Sequence, residues 1–219
     1  MRDATGDAVA GGRAALIVID VQNDYCHAEG KFVQAVSAHH VDAAASLAAR
    51  LPELVSAMRR LGNYVIFVRT EHRRELMSHA YLDRYRQDRP LMFCEPGTWG
   101  AEFMGIDSSA ADAIVTKYRY DAFYNTPLDT VLRISGRDVL VFAGFSTNVC
   151  VETTVRQACI RDYRAVVLSD FCACTTKEEH EVALRVMSGS FAEVVAWADI
   201  RPDGKVLQAG NRSTMRNVT

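Results

Sequence analysis

Residues 139–161 read VLVFAGFSTNVCVETTVRQACIR. Val139 to Ala143 form a continuous apolar run, short and β-branched enough for a fully buried strand. Gly144 breaks the run, and Phe145-Ser146-Thr147-Asn148 reads as a polar turn. From Cys150 the period changes, because Val151, Thr154, Val155, Ala158 and Cys159 fall on one helical face. Strand, tight turn and helix make the unit that sets ligands at the carboxyl edge of a parallel sheet. Cys150 stands in the first helical turn, where the helix dipole and free N–H groups favour a thiolate and a developing oxyanion. A small cysteine buried at the start of a packed helix is the competing reading. Residues elsewhere in the chain decide between the two.

Outward from that stretch the same alternation repeats. Ala14 to Ile19 is an apolar strand ending on Asp20, and residues 21–32 have the polarity of a loop. A helix from about His40 to Leu61 follows, with Gly62 as its stop and Pro52 expected to kink or divide it. Tyr64 to Val68, Ala113 to Thr116, Ala165 to Leu168 and Ala192 to Ala196 supply further strands. Thr126 and Pro127 read as N-cap and first position of a helix to Ser135, ended by Gly136, and another helix spans about Lys177 to Met187. Strands alternating with helices predict one α/β domain, with a doubly wound, mainly parallel six-stranded sheet. The expected domain covers residues 14–204, between a poorly ordered stretch at 1–13 and a tail at 205–219. Arg69 to Gly100 is long and charged, and suits a lid, a binding loop or an interface.

Composition removes several function classes. A net charge of −2, with acidic residues interleaved among the arginines, gives no nucleic-acid or acidic-membrane signature. No apolar run approaches the roughly 20 residues that span a bilayer, and the start lacks a signal core. The expectation is a cytoplasmic protein with a small-molecule partner. The six cysteines are scattered without a CxxC pair, so free thiols are expected rather than disulfides or a structural zinc site.

Three polar residues share one position type. Asp20 follows the first strand, Lys117 the third, and Cys150 lies in the turn after the fourth. Parallel strand ends share one rim, so these residues can converge. A thiol is mostly protonated at neutral pH. A neighbouring ammonium lowers its pKa, and a carboxylate can take its proton and later return it to a leaving amine. Backbone N–H groups of the turn can hold the oxyanion. Convergence of the three favours chemistry over packing.

The segments ALIVIDVQNDY, TKYRYDAFYNTPLD and AGFSTNVCVETTVR resemble the isochorismatase-like cysteine hydrolase family, over roughly Ala14 to Val195. The resemblance implies a three-layer αβα sandwich and a triad of Asp20, Lys117 and Cys150. It also implies a cis Phe145–Ser146 peptide and an oxyanion hole from the N–H groups of Ser146 and Cys150. The nucleophilic cysteine, absent from the isochorismatases themselves, argues against vinyl-ether hydrolysis. Residues 69–73 lack the Asp-x-His motif of metal-containing relatives, which implies neither metal nor cofactor.

YNTPLD and STNVCVETT look most like the ureidoacrylate- and carbamoyl-amide-hydrolysing members. Those members carry other residues where this chain has Thr70 and His72, which marks both as substrate-side candidates. Position adds Asn23, Trp99, Arg119 and Tyr120, with Arg119 suited to a substrate carboxylate. Phe123 is a further candidate that also suits core packing. The expected activity is hydrolysis of a C–N bond in a small linear amide or ureido compound through a thioester on Cys150, releasing ammonia or an amine. Alternatives are a nicotinamidase-like or N-carbamoyl amino acid amidase and, from another class, a non-enzymatic thiol redox sensor. The resemblance further implies a homo-oligomer, dimer or tetramer.

Overall fold

The computed structural model of the protein describes residues 3–35, 39–83 and 92–199. Helix α1 (Asp3–Ala10) leads into strand β1 (Ala14–Ile19), followed by the short helices α2 (Asn23–Cys26) and α3 (Lys31–Ala35). Then come helix α4 (His39–Arg60), strand β2 (Tyr64–Thr70), helix α5 (His79–Asp83) and strand β3 (Ala113–Lys117). Helix α6 (Leu128–Ser135) and strand β4 (Val139–Phe145) precede a π-helical turn, Thr147–Val151. Helix α7 (Glu152–Ile160), strand β5 (Arg164–Ala173), helix α8 (Lys177–Ser190) and strand β6 (Glu193–Val195) complete the order.

The sheet order is β3-β2-β1-β4-β5-β6, with every pairing parallel. Successive strand residues face opposite sides, and β1 is buried along its whole length. Leu16 and Val18 pack with α1 and α4, through Val9, Leu47, Leu51, Leu54 and Met58. Ala15, Ile17 and Ile19 pack with α6, α7 and α8, through Leu128, Leu132, Val155, Ala183 and Met187. The result is the expected three-layer αβα sandwich. Chain direction across the sheet reverses between β1 and β4, and ligands of such sheets gather outside that crevice.

Several local expectations change. Residues 3–10, read from their Gly, Ala and Asp content as poorly ordered, form α1, because Ala8 and Val9 bury against the core. Asn63 ties this helix to the sheet. It donates to Val9 O at 2.7 Å and accepts from Ala14 N at 3.0 Å. Helix α4 runs unbroken through Pro52, which lies on its exposed side. An interior proline costs about 3 kcal/mol, and burial of Leu47 and Leu51 before it and Leu54 and Met58 after it exceeds that. Residues 200–219, including the proposed tail and domain end, lie outside the described residues, as do 84–91 of the long charged segment.

Gly144 does not break its strand, and β4 continues to Phe145. Gly144 pairs with Ile19 at φ 134°, and a Cβ there would stand 2.1 Å from the Ile19 carbonyl oxygen. Only glycine allows β1 and β4 to meet this closely at the crevice. Gly144→Ala should therefore lower stability by at least about 3 kcal/mol in urea unfolding. Gly189→Ala, in α8 with nothing within 4 Å of its added Cβ, should raise stability by roughly 0.5 kcal/mol.

Candidate active site

Strands β1, β2 and β3 end side by side, and their last residues meet. Asp20 turns out of β1 at φ 53°, and its N–H bonds Val68 O at 2.9 Å. Thr70 and Lys117 are paired neighbours closing β2 and β3. From there the lysine side chain reaches across β2 to Asp20, with both residues 1% exposed. Lys117 Nζ donates to Thr70 Oγ1 at 2.6 Å, to Arg119 O at 3.1 Å and to Cys150 Sγ at 3.4 Å. An ammonium has three hydrogens, and these partners account for them. Lys117 Nζ also stands 2.7 Å from Asp20 Oδ2, a tight ion pair. Oδ1 accepts from the Thr70 hydroxyl at 3.0 Å. The carboxylate is thus neutralised and oriented.

Thr70 was expected to touch substrate. Its hydroxyl instead links Lys117 to Asp20, although the residue also borders the pocket. Gln22 holds it in place, accepting from Thr70 N at 2.8 Å and donating to Thr70 O at 2.9 Å. Sequence reasoning passed over Gln22, although it stands two residues beyond Asp20. A polar residue so near a strand end was the available signal.

Cys150 lies in the π-helical turn and not in the first turn of α7. The Phe145–Ser146 peptide is cis, as the resemblance implied. Ser146 O accepts from Val149 N at 3.1 Å and from Val151 N at 3.2 Å. Thr154 Oγ1 donates to Cys150 O at 2.7 Å. Burial pushes the Cys150 thiol up to about 12, helped by the Asp20 carboxylate, while Lys117 pulls it down. Lys117 thus lowers the thiol pKa as expected, but desolvation exceeds its effect, and the net shift is upward. Burial also pulls Lys117 down, but Asp20 and Cys150 more than offset it, and its pKa ends above that of an ordinary lysine.

These groups line a pocket of about 210 Å³. His72, Arg119 and Tyr120 line it with them. Burial lowers the His72 pKa to about 4, against a hydrogen bond to Phe93 O that raises it. Nδ1 must carry the proton, because it lies 2.8 Å from that carbonyl oxygen, so Nε2 accepts from the Tyr81 hydroxyl at 2.9 Å. The Arg119 guanidinium donates to Tyr118 O and Leu76 O, each at 2.6 Å, and lies over the Tyr81 ring.

Three candidates fall elsewhere. The Asn23 amide donates to Trp99 O at 2.8 Å, which braces two loops. Trp99 is 46% exposed and meets the edge of His27. Phe123 packs on Tyr163 in the core. A wall of Tyr25, Phe32, Phe93 and Phe145 takes the place expected for them. Its ring centroids lie 5.4–5.9 Å apart. These aromatics come from separate segments, and no local pattern announced them. Among the described residues, no three His, Cys, Asp or Glu side chains group as a metal ion would need.

A family model described as the isochorismatase domain matches residues 14–199. Ureidoacrylate amidohydrolase RutB of Yersinia enterocolitica is 32% identical over 171 residues, 72% of this chain and 74% of the relative. The Serratia proteamaculans protein of that name is 33% identical over 178 residues, 74% and 71% of the two chains. A cysteine hydrolase from Pseudomonas syringae superposes with a TM-score of 0.76 at 27% identity, covering 89% of this chain and 94% of that one. Nicotinamidase PncA of Bacillus subtilis does so with a TM-score of 0.70 at 26% identity, covering 84% and 99%.

Two outcomes follow from the charges. Asp20→Asn should lower the Cys150 pKa and speed its alkylation by iodoacetamide at fixed pH, whereas Lys117→Met should raise the pKa and slow it. The pH profile of alkylation reads both changes, because well below the thiol pKa the thiolate fraction falls about tenfold for every pH step of one. His72 binds fewer protons folded than unfolded between pH 6.5 and about 4. Stability should accordingly fall as pH drops through that window, by about 3 kcal/mol in total from this group. The urea midpoint of His72→Gln should depend less on pH there than that of the native chain.

Proposed function

Because the chain belongs to the isochorismatase family of hydrolases, we propose that it is a cysteine amidohydrolase acting on a small ureido or linear amide compound. The observation that carries this reading is Lys117 Nζ standing 2.7 Å from Asp20 Oδ2 and 3.4 Å from Cys150 Sγ at one pocket wall. A pocket of about 210 Å³ is smaller than the roughly 300 Å³ at which drug-sized sites begin, which suits a compact substrate. The curated relatives are ureidoacrylate amidohydrolases by name, and this supports a ureido acid.

In the proposed reaction Asp20 Oδ2 takes the thiol proton as Cys150 Sγ attacks the carbonyl carbon. Proton transfer and attack are coupled, because a thiol held near 12 is not ionised at rest. The N–H groups of Ser146 and Cys150 receive the oxyanion. Collapse breaks the C–N bond, Asp20 returns the proton to the leaving nitrogen, and ammonia or an amine departs. Water, deprotonated by Asp20, then cleaves the acyl or carbamoyl thioester, and Asp20 returns that proton to the departing Cys150 sulfur. Lys117 holds Asp20 in place and offsets charge on sulfur. Arg119 keeps N–H donors beyond those bound to Tyr118 O and Leu76 O, and these suit a substrate carboxylate.

Ammonia release from a panel of ureido acids and primary amides is the test. Cys150→Ala should reduce turnover of the best substrate by at least about 10³-fold. Equal turnover in that variant would sink the proposal.

A further inference from the structure

Thr147 opens the π-helical turn between the two residues proposed to donate to the oxyanion, and it is 0% exposed. Its hydroxyl has two partners on two other elements. Ala173 O, at the end of β5, lies 3.0 Å away, and His180 Nδ1, in the first turn of α8, lies 2.8 Å away. A carbonyl oxygen can only accept, so Thr147 donates its one hydrogen to Ala173 O. His180 Nδ1 bonds the same oxygen, and the ring, whose pKa burial lowers, also bonds the Ser169 backbone. His180 is itself held, since its backbone N–H bonds Thr176 O at 3.2 Å.

One hydroxyl therefore braces the nucleophile turn to β5 and α8. Ala173 pairs with Phe145, the residue just before the cis bond, so the brace closes on the strand that delivers the turn. The turn gets little help from regular helix geometry, because Val151 N reaches back five residues to Ser146 O. We infer that His180, acting through the Thr147 hydroxyl, is a positioning residue that sets the turn carrying Cys150 and the Ser146 N–H relative to the sheet edge. It touches neither substrate nor thiol. Its effect falls on the chemical step, because the attacking atom and the oxyanion donors ride on the turn it fixes. A displacement near 1 Å in such a group lowers rates by about a hundredfold. Tyr25, Phe32, Phe93 and Arg119 line the pocket from outside this turn, while Ser146, Asn148 and Val149 line it from the turn itself, so the loss in kcat should exceed the change in KM.

The inference rests on the amidohydrolase reading, and the test separates the two failures. Steady-state turnover of the best ureido or amide substrate is compared across folded variants, with circular dichroism checking the fold. Thr147→Val keeps the shape and removes the hydroxyl, and kcat should fall about a hundredfold with KM changed less than about threefold. Thr147→Ser should retain kcat within about threefold. His180→Leu should lower kcat about tenfold, and His180→Asn, which keeps a hydrogen-bonding group where Nδ1 stood, should recover most of that loss. Native kcat in Thr147→Val overturns the inference, as does a loss confined to KM or a His180→Asn variant no faster than His180→Leu. Absence of turnover in the native protein defeats the amidohydrolase reading instead. In that case the brace is judged by iodoacetamide alkylation of Cys150, where an unchanged rate in Thr147→Val overturns it.

Discussion

The contact between the Lys117 ammonium and the Asp20 carboxylate, 2.7 Å apart with both residues 1% exposed, is the constraint on which the rest depends. Taking each charge out of water costs several kcal/mol, repaid only when both charges are paired and their remaining bonding groups are filled. Here the filling is supplied by backbone and neighbours. Thr70 Oγ1 and Arg119 O take two ammonium hydrogens, Cys150 Sγ takes the third, and Thr70 bonds Asp20 Oδ1. Those partners stand in place because β1, β2 and β3 run parallel in fixed register. A slip of one residue would turn Thr70 and Lys117 to opposite faces. Gln22 guards that register by bonding both backbone groups of Thr70.

Cys150 belongs to the other side of the crevice, and its placement is a matter of backbone space. Gly144 brings β4 against Ile19, so the chain can leave the sheet directly over Asp20. The π-helical turn then points Cys150 back toward Lys117 at 3.4 Å. Hydrophobic layering and polar geometry are coupled here. Ile19 and Phe142 bury on the α7 side, Val18 and Ala143 on the α4 side, and the strands of this two-sided core end at the site.

Much of this was legible in the sequence, for a physical reason. Buried parallel strands are continuous apolar runs, so Ala14 to Ile19 and Val139 to Ala143 stand out, and so do polar residues at their ends. Asp20, Lys117 and Cys150 were visible in that way. What failed to show was decided by contacts between distant segments. Tyr25, Phe32, Phe93 and Phe145 form one wall but share no local pattern. Asn23 and Trp99 satisfy each other and leave the pocket to those rings. Helix α1 exists because Val9 finds the core, which composition does not reveal. The direction in which the Cys150 pKa moves was misread because a sequence shows the nearby lysine and not the depth of burial.

That direction bears on how such a site combines reactivity with restraint. With its pKa raised by burial above that of an ordinary thiol, the resting sulfur is held mainly as the thiol at neutral pH. Oxidants and adventitious electrophiles, which need a standing thiolate, meet an almost inert sulfur. On the amidohydrolase reading, a substrate carbonyl needs no standing thiolate. Its developing oxyanion is met by backbone N–H groups, while the departing proton has a buried acceptor in the Asp20 carboxylate, which interacts directly with the thiol. The charge that burial forbids on the free thiol is thus never present alone. It passes from sulfur to the substrate oxygen within a site whose lysine is already paired. On that reading, burial that raises the thiol pKa favours carbonyl compounds that can complete the transfer.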